Sequence, residues 1–146
     1  MEPEVKLENM KFNHAEKGQS LVELALSLLI ILTLLAGAVD LGSAFFSYVA
    51  IRDAAQEGAL YGSIFPTGAI ESRVRSASST PVDLSDISKV TVSVPPPTTP
   101  CAGGSITVSV TYNYPLTMPL IGAIIGSPTI RLTASVTDTI LSPSCP

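Results

Sequence analysis

The sequence predicts an α+β protein in which one long N-terminal helix, apolar enough to enter a membrane, packs on a small antiparallel β-sheet. Three observations lead to this class. The segment 24–39 contains no ionisable residue, the segment after it has helical periodicity, and three later segments alternate apolar and polar residues. With 146 residues, 46% of them hydrophobic, the chain provides one small domain and one membrane segment.

The helix is expected over residues 19–62, because no proline interrupts this stretch. Its first half, about 21–41, provides the roughly 20 residues that cross a bilayer. Its second half is amphipathic, with charged and amide side chains on one face and mostly small residues on the other. The apolar face consists of Ala44, Tyr48, Ile51, Ala55, Gly58, Ala59 and Gly62. We expect the sheet to pack on this face.

The remaining region, 63–146, is predicted to be β-rich. A short helix is expected over 69–79, and strands are expected over 90–94, 106–114 and 130–136, where apolar and polar side chains alternate. The segment 118–126 is apolar but is broken by proline and glycine. Two interpretations stay open for it: a loop over the core, or an exposed patch that meets another subunit or the membrane surface.

The N-terminal part of the chain resembles a known family. The sequence Lys17-Gly18-Gln19, followed by Glu23 and a long apolar helix, resembles the class III signal peptide of the type IV pilin superfamily. The continuation Asp40-Leu41-Gly42 and the segment 52–62 (RDAAQEGALYG) resemble, more narrowly, the TadE-like pseudopilins of tight-adherence (Flp-type) pilus systems. The resemblance covers about residues 17–63 and implies a pilin-like fold.

This resemblance assigns roles to three residues. It implies that residues 1–18 are a leader peptide, which a prepilin peptidase removes by cutting between Gly18 and Gln19. It also implies that Glu23 pairs with the free amine of Gln19 on a neighbouring subunit. A glutamate at the membrane interface without a partner is the alternative for Glu23. Asp40 is expected at the opposite interface.

Composition argues against several other classes of protein. The net charge of −4 argues against nucleic-acid binding, which needs a clustered basic surface. The single histidine, His14, lies in the predicted leader, so the mature chain has no histidine for a catalytic triad or a Cys-His pair. We therefore expect no enzyme, no metal site, no cofactor and no small-molecule substrate.

Charge near the helix favours a cytoplasmic N-terminus, since Lys11 and Lys17 precede the apolar segment and Arg52 follows at a greater distance. Region 63–146 would then be extracytoplasmic. In an oxidising compartment Cys101 and Cys145 would form a disulfide, whereas in the cytosol they would be free thiols.

The leading hypothesis is a structural or assembly subunit, such as a minor pilin or pseudopilin, of a tight-adherence type IV pilus system. Its expected partners are the membrane, other pilin or pseudopilin subunits, the pilus assembly machinery and the prepilin peptidase. The alternative is an uncleaved single-pass membrane protein with an extracytoplasmic adhesion or partner-binding domain. Only the first hypothesis requires a new N-terminus at Gln19.

Overall fold

The structure is a computed structural model that describes residues 14–142, with the backbone alone for residues 14–17, 119, 120 and 124. The chain divides into two compact units between Ala36 and Gly37. The helices are α1 (His14–Ile64), α2 (Ile70–Ser76) and α3 (Pro119–Ile125), and the strands are β1 (Val90–Ser93), β2 (Ser105–Pro115) and β3 (Thr129–Thr139). This arrangement confirms the predicted α+β class.

Helix α1 includes the predicted helix 19–62 and extends it at both ends. Residues 14–18, which the sequence assigned to the leader, are helical; residues 1–13 lie outside the described part of the chain. Helix α2 lies within the predicted short helix 69–79. Helix α3 was not expected as a helix, because its seven-residue apolar run contains Pro119 and Gly122 and is followed by Gly126.

The three predicted strands form one antiparallel sheet in the order β1-β2-β3. In its register Val90 faces Tyr112, and Val108 faces Val136. The apolar residues of β2 point to one face, where Ile106, Val108 and Val110 are fully buried. The other face carries three hydroxyl rungs, in which a residue of β2 is hydrogen-bonded to the facing residue of β3. These rungs are Thr107–Thr137 at 2.8 Å, Ser109–Ser135 at 2.9 Å and Thr111–Thr133 at 3.1 Å.

The buried face of the sheet and the second half of α1 share one hydrophobic core. The predicted contact face is confirmed for Ile51, Ala55 and Ala59, each of which is fully buried. Tyr48 was placed on the same face wrongly, since its side chain is 37% exposed. The helix turns slightly more toward Ala54, which is buried in its place.

Two glycines let neighbouring elements approach the backbone of α1. A Cβ atom at Gly58 would overlap a methyl group of Val74 on α2 and would lie 3.3 Å from Val108 on β2. A Cβ atom at Gly62 would lie 3.0 Å from Ile70 and 3.3 Å from Ile106. A larger residue at either position would occupy the space that α2 and β2 fill. This explains why small residues line this face of the helix.

The chain after β3 is fixed to the end of α1. The backbone N–H of Leu141 donates to the carbonyl oxygen of Ser63 at 2.7 Å. Ile140 exchanges two backbone hydrogen bonds with the Gly103–Gly104 turn, at 2.9 and 2.8 Å. These bonds bring the turn that follows Cys101 beside the C-terminal tail. Cys145 lies outside the described residues, so its pairing with Cys101 stays a prediction.

Candidate assembly segment

The predicted processing site lies near the start of the described helix. Gly18 and Gln19 are helical and exposed. A Cβ atom built at Gly18 meets nothing within 4 Å outside the backbone of its own helix. The fold itself therefore does not require a glycine at this position, unlike at Gly58. A requirement for glycine here would have to come from another molecule that approaches the backbone.

The apolar segment, residues 21–39 of α1, exposes all of its large aliphatic side chains. Every leucine, isoleucine and valine in it is between 52% and 69% exposed. Fully burying one such side chain is worth roughly 1.5–3 kcal/mol, so leaving all of them in water would be very costly. Among the described residues, α1 is the one helix that is long and apolar enough to cross a membrane. The segment is suited to lipid or to the apolar helices of other subunits.

Glu23 is the single charged residue of the apolar segment. Its side chain is exposed, and none of the described residues donates a hydrogen bond to it or forms an ion pair with it. It follows Gln19 by four residues, so the two lie one above the other on the same helix face. The structure thus places Gly18, Gln19 and Glu23 on adjacent turns, whereas Cys101 belongs to the second unit.

Asp40, which ends the apolar segment, is instead enclosed by protein. It is only 4% exposed. One carboxylate oxygen accepts hydrogen bonds from the hydroxyl of Tyr114 at 3.1 Å and from the N–H of Thr117 at 3.2 Å. The other accepts from the N–H of Met118 at 3.2 Å. From the sequence, Asp40 was expected only at a membrane interface, and these hydrogen-bond donors were not predicted.

The surroundings of Asp40 also act on Tyr114. Burial, together with the neighbouring carboxylate, raises the pKa of Tyr114 above its ordinary value, because both disfavour a negatively charged phenolate. The two residues are 74 positions apart in the chain. The one sequence signal for this site was a carboxylate at the end of an apolar run, where burial without hydrogen bonds would be costly.

Helix α3 begins where the chain contacts Asp40. Met118 is its N-cap residue, and Gly126, with a φ of 74°, ends it in the left-handed conformation that favours glycine. Ile121 lies over Gly37 of α1, with its Cδ1 atom 3.9 Å from the position of a Cβ atom there. Ile121 is half-buried, whereas Ile125 is 54% exposed. The contact of Ile121 with α1 and the exposure of Ile125 leave both sequence interpretations of 118–126 open.

Comparison with known proteins supports the resemblance inferred from the sequence. The family model described as TadE-like protein matches residues 18–60, which confirms the predicted family for this part of the chain. The matched range starts at the predicted processing site and includes Glu23, the apolar segment and Asp40. That family is a pilus-associated structural family and is not known for enzymatic activity. No curated protein and no solved structure shows a significant match.

Proposed function

Starting from the TadE-like match over residues 18–60, we propose that this chain is a pseudopilin, a structural or assembly subunit of a tight-adherence pilus system. The match and the exposed apolar segment together fit a membrane protein associated with such a pilus. The observation that carries the proposal is that the matched range contains the apolar segment 21–39, whose large side chains are exposed and whose single carboxylate, Glu23, has no partner among the described residues. Such a surface serves packing between helices in a membrane or a fibre, and it offers no catalytic group.

The first step of the proposed function is cleavage between Gly18 and Gln19. The exposure of both residues supports it. Glycine also lowers the stability of an exposed helix by about 1 kcal/mol, which eases local opening of the turn for a peptidase. Cleavage would leave a free amine on Gln19, one helical turn before Glu23.

Processing is tested by reading the N-terminal residue of membrane-extracted protein by mass spectrometry. We expect Gln19 in the wild type and an uncleaved precursor for Gly18→Val. The matched control is Gly42→Val, because Gly42 is also helical and a Cβ there meets nothing within 4 Å; this variant should be cleaved normally. A wild-type protein that retains residues 1–18 would reject processing and favour the uncleaved single-pass alternative.

The second step is pairing of Glu23 with the Gln19 amine of an adjacent subunit. The exposed carboxylate, which has no partner among the residues that the structure describes, supports this role, since opposite charges attract far more strongly away from water. We expect Glu23→Val to be inserted and largely processed but to be lost from co-purification with other pilins and the assembly machinery. Glu23→Gln should behave similarly, because it keeps the shape and removes the charge.

The control for charge alone is Asp53→Asn, at an exposed acidic residue in the second half of the same helix; it should co-purify as the wild type does. Equal recovery of wild type and Glu23→Val with the pilus machinery would reject the pairing role. Glu23 would then be an unpaired residue at the membrane interface.

We also propose that the second unit lies outside the cytoplasm with a Cys101–Cys145 disulfide. The hydrogen bonds between the Gly103–Gly104 turn and Ile140 support it, because they hold the Cys101 turn beside the tail that leads to Cys145. By the chain-entropy estimate this disulfide would add roughly 4 kcal/mol. A mass measurement on protein taken from its native envelope, without reducing agent, should show no free thiol. Two free thiols would contradict both the disulfide and the oxidising location.

A further inference from the structure

Helix α3 lies in a stretch of chain without charge. No ionisable residue occurs between Pro115 and Ile130. Within this stretch, α3 leaves Ile125 54% exposed, and Ala123 is exposed as well. An exposed apolar helix face often marks a contact with a membrane or another protein. The position of α3 within the second unit indicates which contact this is.

The position of α3 is fixed by contacts with α1. The backbone N–H groups of Thr117 and Met118 donate to Asp40, and Ile121 lies over Gly37. Gly37 belongs to the uncharged run that ends at Asp40. The beginning of α3 is therefore held beside the last turn of the apolar segment.

Two apolar side chains of α1 in the same unit are also exposed beside Asp40. Val39 is 62% exposed and Leu41 is 68% exposed, on either side of the buried Asp40. Both lie at the end of the second unit where Thr117, Met118 and Ile121 contact α1. Residues 37–39 are the part of the apolar segment that belongs to this unit, so a membrane that covers them would also meet this end of the unit.

We propose that α3 is a second membrane contact, which lies in the boundary between lipid headgroups and acyl chains. In this position α3 separates the Asp40 carboxylate from the lipid. This inference rests on the proposed membrane anchor. Lipid is the occupant that fits, because the exposed surface is uncharged and α3 contacts Gly37 and Asp40, at the end of the apolar segment. Short apolar helices bind such boundaries by burying one face about 5–10 Å deep. With α3 in place, the Asp40 carboxylate meets N–H and hydroxyl donors in a region where an unpaired charge would be costly.

The absence of tryptophan from the chain allows a direct test with single-tryptophan variants of the full-length protein. Ile125→Trp reports on α3, and Leu32→Trp reports on the apolar segment. Leu141→Trp is the matched control: Leu141 is 68% exposed and pairs with Ser63, which is about 35 Å along α1 from Asp40. Each variant is reconstituted into vesicles of phosphatidylcholine and phosphatidylglycerol. Bromine is placed either near the headgroup end or near the middle of the acyl chains.

We expect bromine near the headgroups to reduce the fluorescence of Ile125→Trp by about half or more, as for a side chain at the depth of an interfacial helix. Bromine near the middle should quench Leu32→Trp, and neither lipid should quench Leu141→Trp. Ala123→Trp, at a second exposed position of α3, should follow Ile125→Trp.

Unquenched Ile125→Trp and Ala123→Trp together with quenched Leu32→Trp would overturn the role of α3 and leave the membrane anchor intact. A blue-shifted but unquenched Ile125→Trp would have the same meaning, since protein rather than lipid would then cover the side chain. Unquenched Leu32→Trp would overturn the anchor and, with it, the inference about α3.

Discussion

The two halves of α1 carry apolar surfaces of opposite kinds. In the apolar segment 21–39, large aliphatic side chains are all exposed. In the stretch from Ala44 to Ser63, the residues that face the sheet are mostly small, and they are buried. Large side chains offer area to lipid or to other helices, whereas small ones let a sheet approach the helix backbone. The same helix thus has one apolar surface that is buried within the chain and one that remains exposed and is suited to contact with lipid or other helices.

The carboxylates at the two ends of the apolar segment differ in the same way. Glu23 is exposed and has no partner among the described residues, whereas Asp40 is buried and accepts hydrogen bonds from three residues. Substitutions in the first half should therefore change assembly with little effect on folding. Substitutions from Asp40 onward should instead change the stability of the folded unit. The loss of stability measured for each one ranks the contacts that hold the unit together.

The largest effect is expected from Ala55→Glu, in the fully buried helix face. It would place an unpaired charge in the core and should lower the free energy of unfolding by roughly 4 kcal/mol or more. Thermal unfolding of the full chain in detergent, followed by circular dichroism, measures it. The neighbouring exposed residue supplies the control, because Gln56→Glu should stay within about 0.5 kcal/mol of the wild type. Equal stability of Ala55→Glu and wild type would disprove the packing of the sheet on this face.

Asp40→Ala should have the next largest effect, with a melting temperature several degrees below that of the wild type. It removes the acceptor for two backbone N–H groups and for the Tyr114 hydroxyl, so these donors would be left without their partner. Asp53→Ala, at an exposed position of the same helix, should leave the melting temperature nearly unchanged. If the two variants melt together, the Asp40 contacts contribute nothing to stability.

Gly58→Ala and Gly42→Ala should change stability in opposite directions. At Gly58 the new methyl group would overlap Val74, and overpacking of about 1–3 kcal/mol should exceed the gain in helix propensity. At Gly42 the methyl group meets nothing within 4 Å, so alanine should stabilise the helix by up to about 1 kcal/mol. Chemical denaturation of both variants gives the comparison, and a stabilised Gly58→Ala would show that α2 does not contact α1 closely.

The smallest effect should appear at alkaline pH. Because the pKa of Tyr114 is raised in the folded state, its contribution to stability is full below pH 10 and is lost as the pH rises through the folded-state pKa. Tyr114→Phe cannot ionise, so its stability should fall less steeply above pH 10 than that of the wild type. Melting curves of both proteins between pH 8 and about 11 would reveal the difference. Parallel decreases would mean that Tyr114 does not take part.

The sequence predicts most of the fold because its periodicities are local. Alternation in β2 identified Ile106, Val108 and Val110 as core residues, and the uncharged run before Asp40 identified the apolar segment. The contact between Asp40 and Tyr114 could not be predicted, since it depends on how β2 returns along α1. Helix α3 was missed because proline and glycine in a seven-residue run weaken every helical signal. Tyr48 was misplaced because it lies at the edge of the helix face, where a small rotation decides burial.

The hydroxyl rungs have a consequence for contacts between molecules. Each rung contains two O–H groups, and only one of them is donated across the rung. The remaining donors and acceptors are available to water on a sheet face that carries no charge at the rungs. A protein surface that packs on this face must displace that water and gains little apolar contact in return. Non-specific association between copies of the chain is therefore unfavourable. Any molecule that does bind there must match the rungs bond by bond.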